Sequence, residues 1–232
     1  MNDLPKAHPA GGVATQKGIN YQNRGAAALA VACISETAPG IDLPTPPIRV
    51  IRCESGEPVG GDILLELADG ALLLIEVKRS IRLSDGRFAA LVEQLIKQFM
   101  ACEQSLSNDS KPWRRPLRSG IDRLQVITSS ESPEAVRKHL AACLDRIGPG
   151  AEPSELLGVA KNNAEDNAYT LFKSLVTAGW KDLLGEQLSD SQLIRFASVV
   201  VGDSPTRGAI LSPIVNFPLQ DTDLKVGLRQ SV

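Results

Sequence analysis

The chain has 232 residues, of which 43% are apolar, enough for the core of one large domain or of a domain with an appendage, and too many for wholesale disorder. Its 25 Lys and Arg stand against 27 Asp and Glu. The resulting net charge of −2 excludes a surface coated in positive charge but not a local basic groove.

Residues 1–17, rich in Pro, Gly and Ala, read as a loose arm. Residues 18–34 follow with Tyr21, Gln22 and Arg24 in the opening turn and then an alanine-rich half. That half is a good helix former and apolar nearly all round, so the spacing predicts a buried helix. Pro39 and Gly40 stop it, Pro44 to Pro47 make a stiff connector, and residues 48–54 read as a first strand.

Residues 60–80 carry the feature that matters most. Two apolar runs meet at Asp69-Gly70, a strong hairpin signal. Asp62 opens the first run, and Glu76 and Lys78 lie inside the second, where a buried strand should be apolar. Side chains alternate along a strand, so Glu76 and Lys78 share a face. A strict two-residue loop would set Asp62 opposite Val77 and turn it away. A three-residue loop with Gly70 in the left-handed bulge position pairs Leu67 with Ala71 and brings Asp62 opposite Glu76. We expect the second, with the carboxylates converging. Two adjacent carboxylates repel and call for a cation between them. Oxygen donors suit a hard ion such as Mg²⁺, with Mn²⁺ as a substitute. A lysine two residues away can hold an attacking water or offset phosphate charge.

Asp62, thirteen residues, then Glu76-Val77-Lys78 resembles the PD-(D/E)XK nuclease signature, with Gly61 where the name-giving motif has Pro. The Gly18-x-x-Tyr21-Gln22-x-Arg24 helix start, a strand and then this hairpin are similar to the nuclease effector domains of bacterial anti-phage systems. Those include the endonucleases of CBASS systems and the N-terminal nucleases of Avs-type STAND ATPases. The resemblance covers residues 11–130. It implies that Asp62 and Glu76 bind the metal and that Lys78 assists the water. In the wider superfamily the first helix often supplies an acidic active-site residue. The comparable residue here is Gln22, which could position a metal-bound water or a phosphate, or merely anchor the helix. One metal or two remain open.

After a turn at Ser84-Asp85-Gly86, the residues Phe88, Leu91, Val92, Leu95, Ile96, Phe99 and Met100 form the stripe of an amphipathic helix over 88–102. Gln94, Lys97 and Gln98 fall off that stripe. By resemblance, a Gln or Lys on this helix lies beside the catalytic lysine, and Gln94 is the candidate. Residues 104–121 read as a loop holding Lys111, Trp113, Arg114, Arg115 and Arg118, a DNA clamp of phosphate-binding cations and a stacking ring, or a solvated loop with Trp113 anchored in the core. Residues 124–130 form a strand. A helix over 133–147 follows, with Ser132 as N-cap and Pro133 at its first position. Gly148-Pro149-Gly150 breaks the chain, and helices are expected over 153–161, 165–178 and 191–201. Tyr169, Leu171, Phe172, Leu175 and Val176 make an apolar face that needs a partner, either the core or another chain.

The expected architecture is α/β: a restriction-endonuclease-like core at 18–148, a mixed sheet of about four strands flanked by helices. A helical extension occupies 149–203. The tail, 204–232, reads as a linker toward a sensor or ATPase module outside this chain. Four scattered cysteines (Cys33, Cys53, Cys102 and Cys143) without a Cys-x-x-Cys pair argue against structural zinc. No apolar run reaches the ~20 residues that span a bilayer. The expectation is a cytoplasmic bacterial endonuclease that cuts double-stranded DNA and assembles as a homo-oligomer on activation. The alternatives are an RNA substrate, and an inactive nuclease-like scaffold in which Glu76 and Lys78 form an internal ion pair.

Overall fold

The computed structural model describes residues 23, 26–27, 48–53, 61–104, 113–128, 131–148 and 150–201. Strands β1 (Ile48–Cys53), β2 (Ile63–Leu67) and β3 (Leu72–Lys78) pair antiparallel in sequence. Helix α1 (Gly86–Glu103) crosses over to β4 (Arg123–Thr128), which runs parallel to β3. A two-residue strand β5 (Val200–Val201) adds parallel to β4, giving a mixed sheet in the order β1-β2-β3-β4-β5 flanked by helices.

The alternation of β2 and β3 builds a core on each face. Ile63, Leu65, Leu67, Leu73, Ile75 and Val77 point one way, joined by Ile127, and Ala26 and Ile51 pack on them. Asn23, Ala26 and Ala27 are helical, within the stretch expected to be the first helix. Leu64, Leu72 and Leu74 point the other way, against Leu91, Leu95 and Phe99 of α1. Burial on both faces explains why these strands read as near-continuous apolar runs.

The turn sets the register. Leu67 donates to the Ala71 carbonyl at 2.9 Å and Gly70 donates to the Leu67 carbonyl at 2.9 Å. Gly70 has φ of 77°, a conformation glycine adopts at little cost, and Asp69 Oδ1 accepts the Ala71 N–H at 2.9 Å. This is the three-residue bulged loop. It pairs Ile63 with Ile75 and so places Asp62 beside Glu76.

Beyond β4 the expected helix opens as six residues of π-helix, Ala135–Leu140, before α2 (Ala141–Arg146). Ser132 does not cap it: its hydroxyl accepts the Ile81 N–H at 3.1 Å, tying the β3–α1 loop to the loop after β4. The stretch expected as a helix over 153–161 is a 3₁₀ helix, Pro153–Gly158. Helix α3 (Asn163–Leu184) runs past the expected stop at residue 178, because Gly179 is where it presses on α1. A Cβ there would sit 3.0 Å from Ile96 Cδ1. Helix α4 (Asp190–Ala197) starts at a Ser189–Gln192 capping box.

Residues 200–201, expected at the end of that last helix, instead form β5, and Leu124 donates to the Val199 carbonyl at 2.7 Å. The α3 face of Tyr169, Phe172 and Val176 finds its partner within the chain. It joins α1 and α4 in one cluster, with Phe172 stacked on Phe196 and Phe196 edge-on to Phe99. Each such large side chain contributes roughly 1.5–3 kcal/mol on burial. The helices after Gly148 are thus part of the same core as α1. Among the described residues no helix is long and apolar enough to cross a membrane. Gln22, Lys111, the arm 1–17 and the tail from residue 204 lie outside the described residues.

Candidate active site

The open end of the β2–β3 hairpin gathers Asp62, Glu76 and Lys78 on the face that α1 covers. Lys78 Nζ donates to Glu76 Oε2 at 2.7 Å and to Asp62 Oδ2 at 3.1 Å. Asp62 Oδ2 also accepts the Val77 N–H at 2.7 Å, which fixes that carboxylate against β3. Glu76 is fully buried, while the Asp62 and Lys78 side chains keep 15% and 29% of their surface exposed. The cluster therefore has a closed floor and an open rim.

Helix α1 supplies the rest. Gln94 Nε2 donates to Glu76 Oε1 at 2.6 Å and Gln98 Nε2 to the same oxygen at 2.7 Å. Gln98, expected off the apolar stripe, is fully buried. It follows Leu91 by seven residues and precedes Cys102 by four, so helical spacing already puts it on the buried edge. Its own Oε1 is buried with no hydrogen-bond partner. Gly61, at φ of 53°, closes the third side: a Cβ there would lie 2.7 Å from Glu76 Oε1 and 2.9 Å from the Ile75 carbonyl. The motif gives Gly61 no role beyond standing in for Pro, and Gln98 lies outside it. Gln98 could have been found from its helical spacing.

Burial pushes the Glu76 carboxyl up from its ordinary value and the Asp62 charge adds to this, against the pull of Lys78 and Gln98. Burial alone would lower the Lys78 ammonium, but Glu76 and Asp62 outweigh it and hold it raised. One ammonium thus bridges two carboxylates within hydrogen-bonding distance of both. Asp62 and Glu76 present carboxylate oxygens to that one ammonium, a donor type that fits a hard cation such as Mg²⁺ or Mn²⁺. Among the described residues no third His, Cys, Asp or Glu joins them.

Of the two readings of the basic loop, Trp113 follows the one that anchors it in the core. Trp113 is 6% exposed and packs in the α1-side core, with the Arg52 guanidinium 5.4 Å above its ring, so its faces are not open to a base. Arg115 donates to both oxygens of Asp122, at 2.5 and 2.8 Å. Arg118 reaches the same carboxylate through its backbone N–H at 2.6 Å and its guanidinium at 3.2 Å. Both guanidiniums also donate to the Gly70 carbonyl, at 2.9 and 2.8 Å. Gly70 is at the turn end of the hairpin, six residues along an extended strand from Glu76 and so roughly 20 Å away. Arg115 and Arg118 are a structural latch on a fully buried Asp122, which also accepts the Leu72 N–H at 2.9 Å. Arg114 is exposed.

No protein-family model, no curated protein and no solved structure matches this chain.

Proposed function

We propose that the chain is a metal-dependent endodeoxyribonuclease of the PD-(D/E)XK type with a restriction-endonuclease-like core. It acts on double-stranded DNA as the effector of an anti-phage defence protein and is switched on by assembly. The observation that carries this reading is the meeting of Asp62, Glu76 and Lys78 at one open rim, with Gln94 on the same carboxylate. Asp62 and Glu76 would hold the cation. When bound, the cation supplies Lewis-acid charge that lowers the pKa of a water and offsets charge on the phosphate. Lys78, at the exposed side of the cluster, would orient that water by donating to it and would neutralise charge that develops on phosphate oxygens. Gln94 and Gln98 hold Glu76 in place by donating two N–H groups to Oε1. Gln22 is a further candidate for positioning water or phosphate.

The test is supercoiled-plasmid cleavage with Mg²⁺, Mn²⁺ or EDTA across a range of protein concentrations. Metal-dependent cutting is expected, rising with concentration. Glu76→Ala and Lys78→Ala should each lower the rate roughly 10³-fold, at about 1.4 kcal/mol per tenfold. Retained cutting by Lys78→Ala sinks the assignment. Robust cutting that ignores concentration sinks the assembly switch.

One observation favours the scaffold reading: the Lys78 ammonium already lies between the two carboxylates, as an internal ion pair requires. A buried pair of this kind is a weak stabiliser. A melting temperature that ignores Mn²⁺ would select the scaffold.

A further inference from the structure

We infer that Gln98 decides which divalent cation the site accepts, by holding Glu76 to a single outward oxygen. The inference rests on the metal site proposed above. A carboxylate has only acceptors, so the Gln98 amide must turn its NH₂ toward Glu76 and leave its carbonyl oxygen behind it. That oxygen is buried without a partner. A methionine of similar length would leave no stranded acceptor, so an amide here is a poor choice for packing alone.

What the amide gains is a grip on Glu76. Oε1 is held by Gln94 at 2.6 Å and by Gln98 at 2.7 Å, and the Gly61 backbone stands on its remaining side. Only Oε2 turns toward Asp62, where Lys78 meets it. Of the two glutamines, Gln98 is the fully buried one, so it cannot swing into solvent and release the carboxylate. A glutamate limited to one oxygen suits Mg²⁺ and Mn²⁺, which take octahedral sites with few carboxylate oxygens. Ca²⁺ is larger, seeks six to eight oxygens and favours bidentate carboxylates, so the grip works against it. Gln98 is a positioning residue: it acts through Glu76 and does not touch the cation.

The experiment measures Mn²⁺ binding to the full chain by the EPR signal of free Mn²⁺, then displacement by Mg²⁺ and by Ca²⁺. Wild type is compared with Gln98→Met and Gln98→Asn, each checked for folding by circular dichroism and melting. Asn keeps the amide but falls one methylene short of Oε1, so either folded variant answers the question. Wild type should favour Mg²⁺ over Ca²⁺, and the variants should shift that preference toward Ca²⁺ by about tenfold. A role in packing alone would move the melting temperature and not the ratio. An unchanged ratio, or equal weakening for both cations, overturns the inference while the metal site stands. A wild type that binds no Mn²⁺ overturns the metal reading and this inference with it.

Discussion

Gly61→Ala isolates the wall behind Glu76. The substitution carries two penalties. Gly61 sits at φ of 53°, where an L residue pays about 1–2 kcal/mol in backbone energy. Its new Cβ would lie 2.7 Å from Glu76 Oε1, 2.9 Å from the Ile75 carbonyl and 3.2 Å from Gln98 Nε2. The Ile75 carbonyl accepts the Asp62 N–H at 3.1 Å, so the strand cannot retreat without moving the other carboxylate. Overpacking of this kind adds about 1–3 kcal/mol. Gly70→Ala provides the control, because Gly70 has φ of 77° with nothing within 4 Å of its Cβ position. It should lose only the backbone term. Urea denaturation of the two variants is therefore expected to differ by roughly 1–3 kcal/mol, with Gly61→Ala the weaker protein. Gly61→Ala should also lose Mn²⁺ affinity while Gly70→Ala keeps it. Equal destabilisation together with intact Mn²⁺ binding would refute the close packing on Glu76.

The Asp122 latch gives a pH prediction. Burial would raise this carboxyl, but hydrogen bonds from Arg115, Arg118 and the Leu72 N–H pull it from 3.8 down to about 2. A folded value below the unfolded one means that the stabilisation is whole above about pH 4 and fades as pH falls toward about 2. That lowering corresponds to roughly 2–3 kcal/mol. Asp122→Asn should therefore be weaker than wild type by at least about that amount at neutral pH, with the gap closing toward pH 2 in urea titrations; a pH-independent gap would count against the ionic latch. Trp113→Ala should cost about 3–5 kcal/mol of stability. Its folded fraction should bind double-stranded DNA with wild-type salt dependence, and a lost salt slope would restore the clamp reading. Arg115→Ala should lower stability by about 3–5 kcal/mol by leaving part of a buried carboxylate unmatched.

How much of this could be read from residues alone varies with the range of the interaction. The hairpin was legible because its register depends on Asp69 and Gly70, local chemistry that few turns share. The α1 stripe was legible because seven apolar residues repeat at helical spacing. Where neighbours from afar decide, the signal fails. Gly179 looks like a helix stop until Ile96 is seen against it. Val200 and Val201 extend an apolar run that suits a helix, yet the unpaired edge of β4 takes them as a strand. Trp113 beside two arginines resembles a nucleic-acid loop, but Asp122 lies seven residues after Arg115 and four after Arg118 in a non-helical turn, so spacing alone does not pair them.

Three buried carboxylates differ in how their charge is matched. Arg146 beside Glu165, with the Lys161 N–H, holds that carboxyl down at about 2. Asp122, matched by two guanidiniums and two backbone N–H groups, also falls to about 2. Glu76 is no less buried and accepts three donors, yet it is pushed up. Burial is the largest cause, and Asp62 adds to it by bringing a like charge that shares the same ammonium. That second carboxylate also accepts the Val77 N–H and pairs with Lys78, so its purpose is decided by experiment. Replacing Asp62 with Asn removes the like charge while keeping an acceptor for the Val77 N–H. If the cluster exists to hold a cation, Asp62→Asn should raise or preserve the melting temperature and abolish the Mn²⁺-induced rise. If the cluster is structural, the same change should weaken the fold by loosening Lys78, with no metal effect to lose. The two measurements need only one variant, and their opposite signs separate a site kept at a cost in stability from an ion pair kept for it.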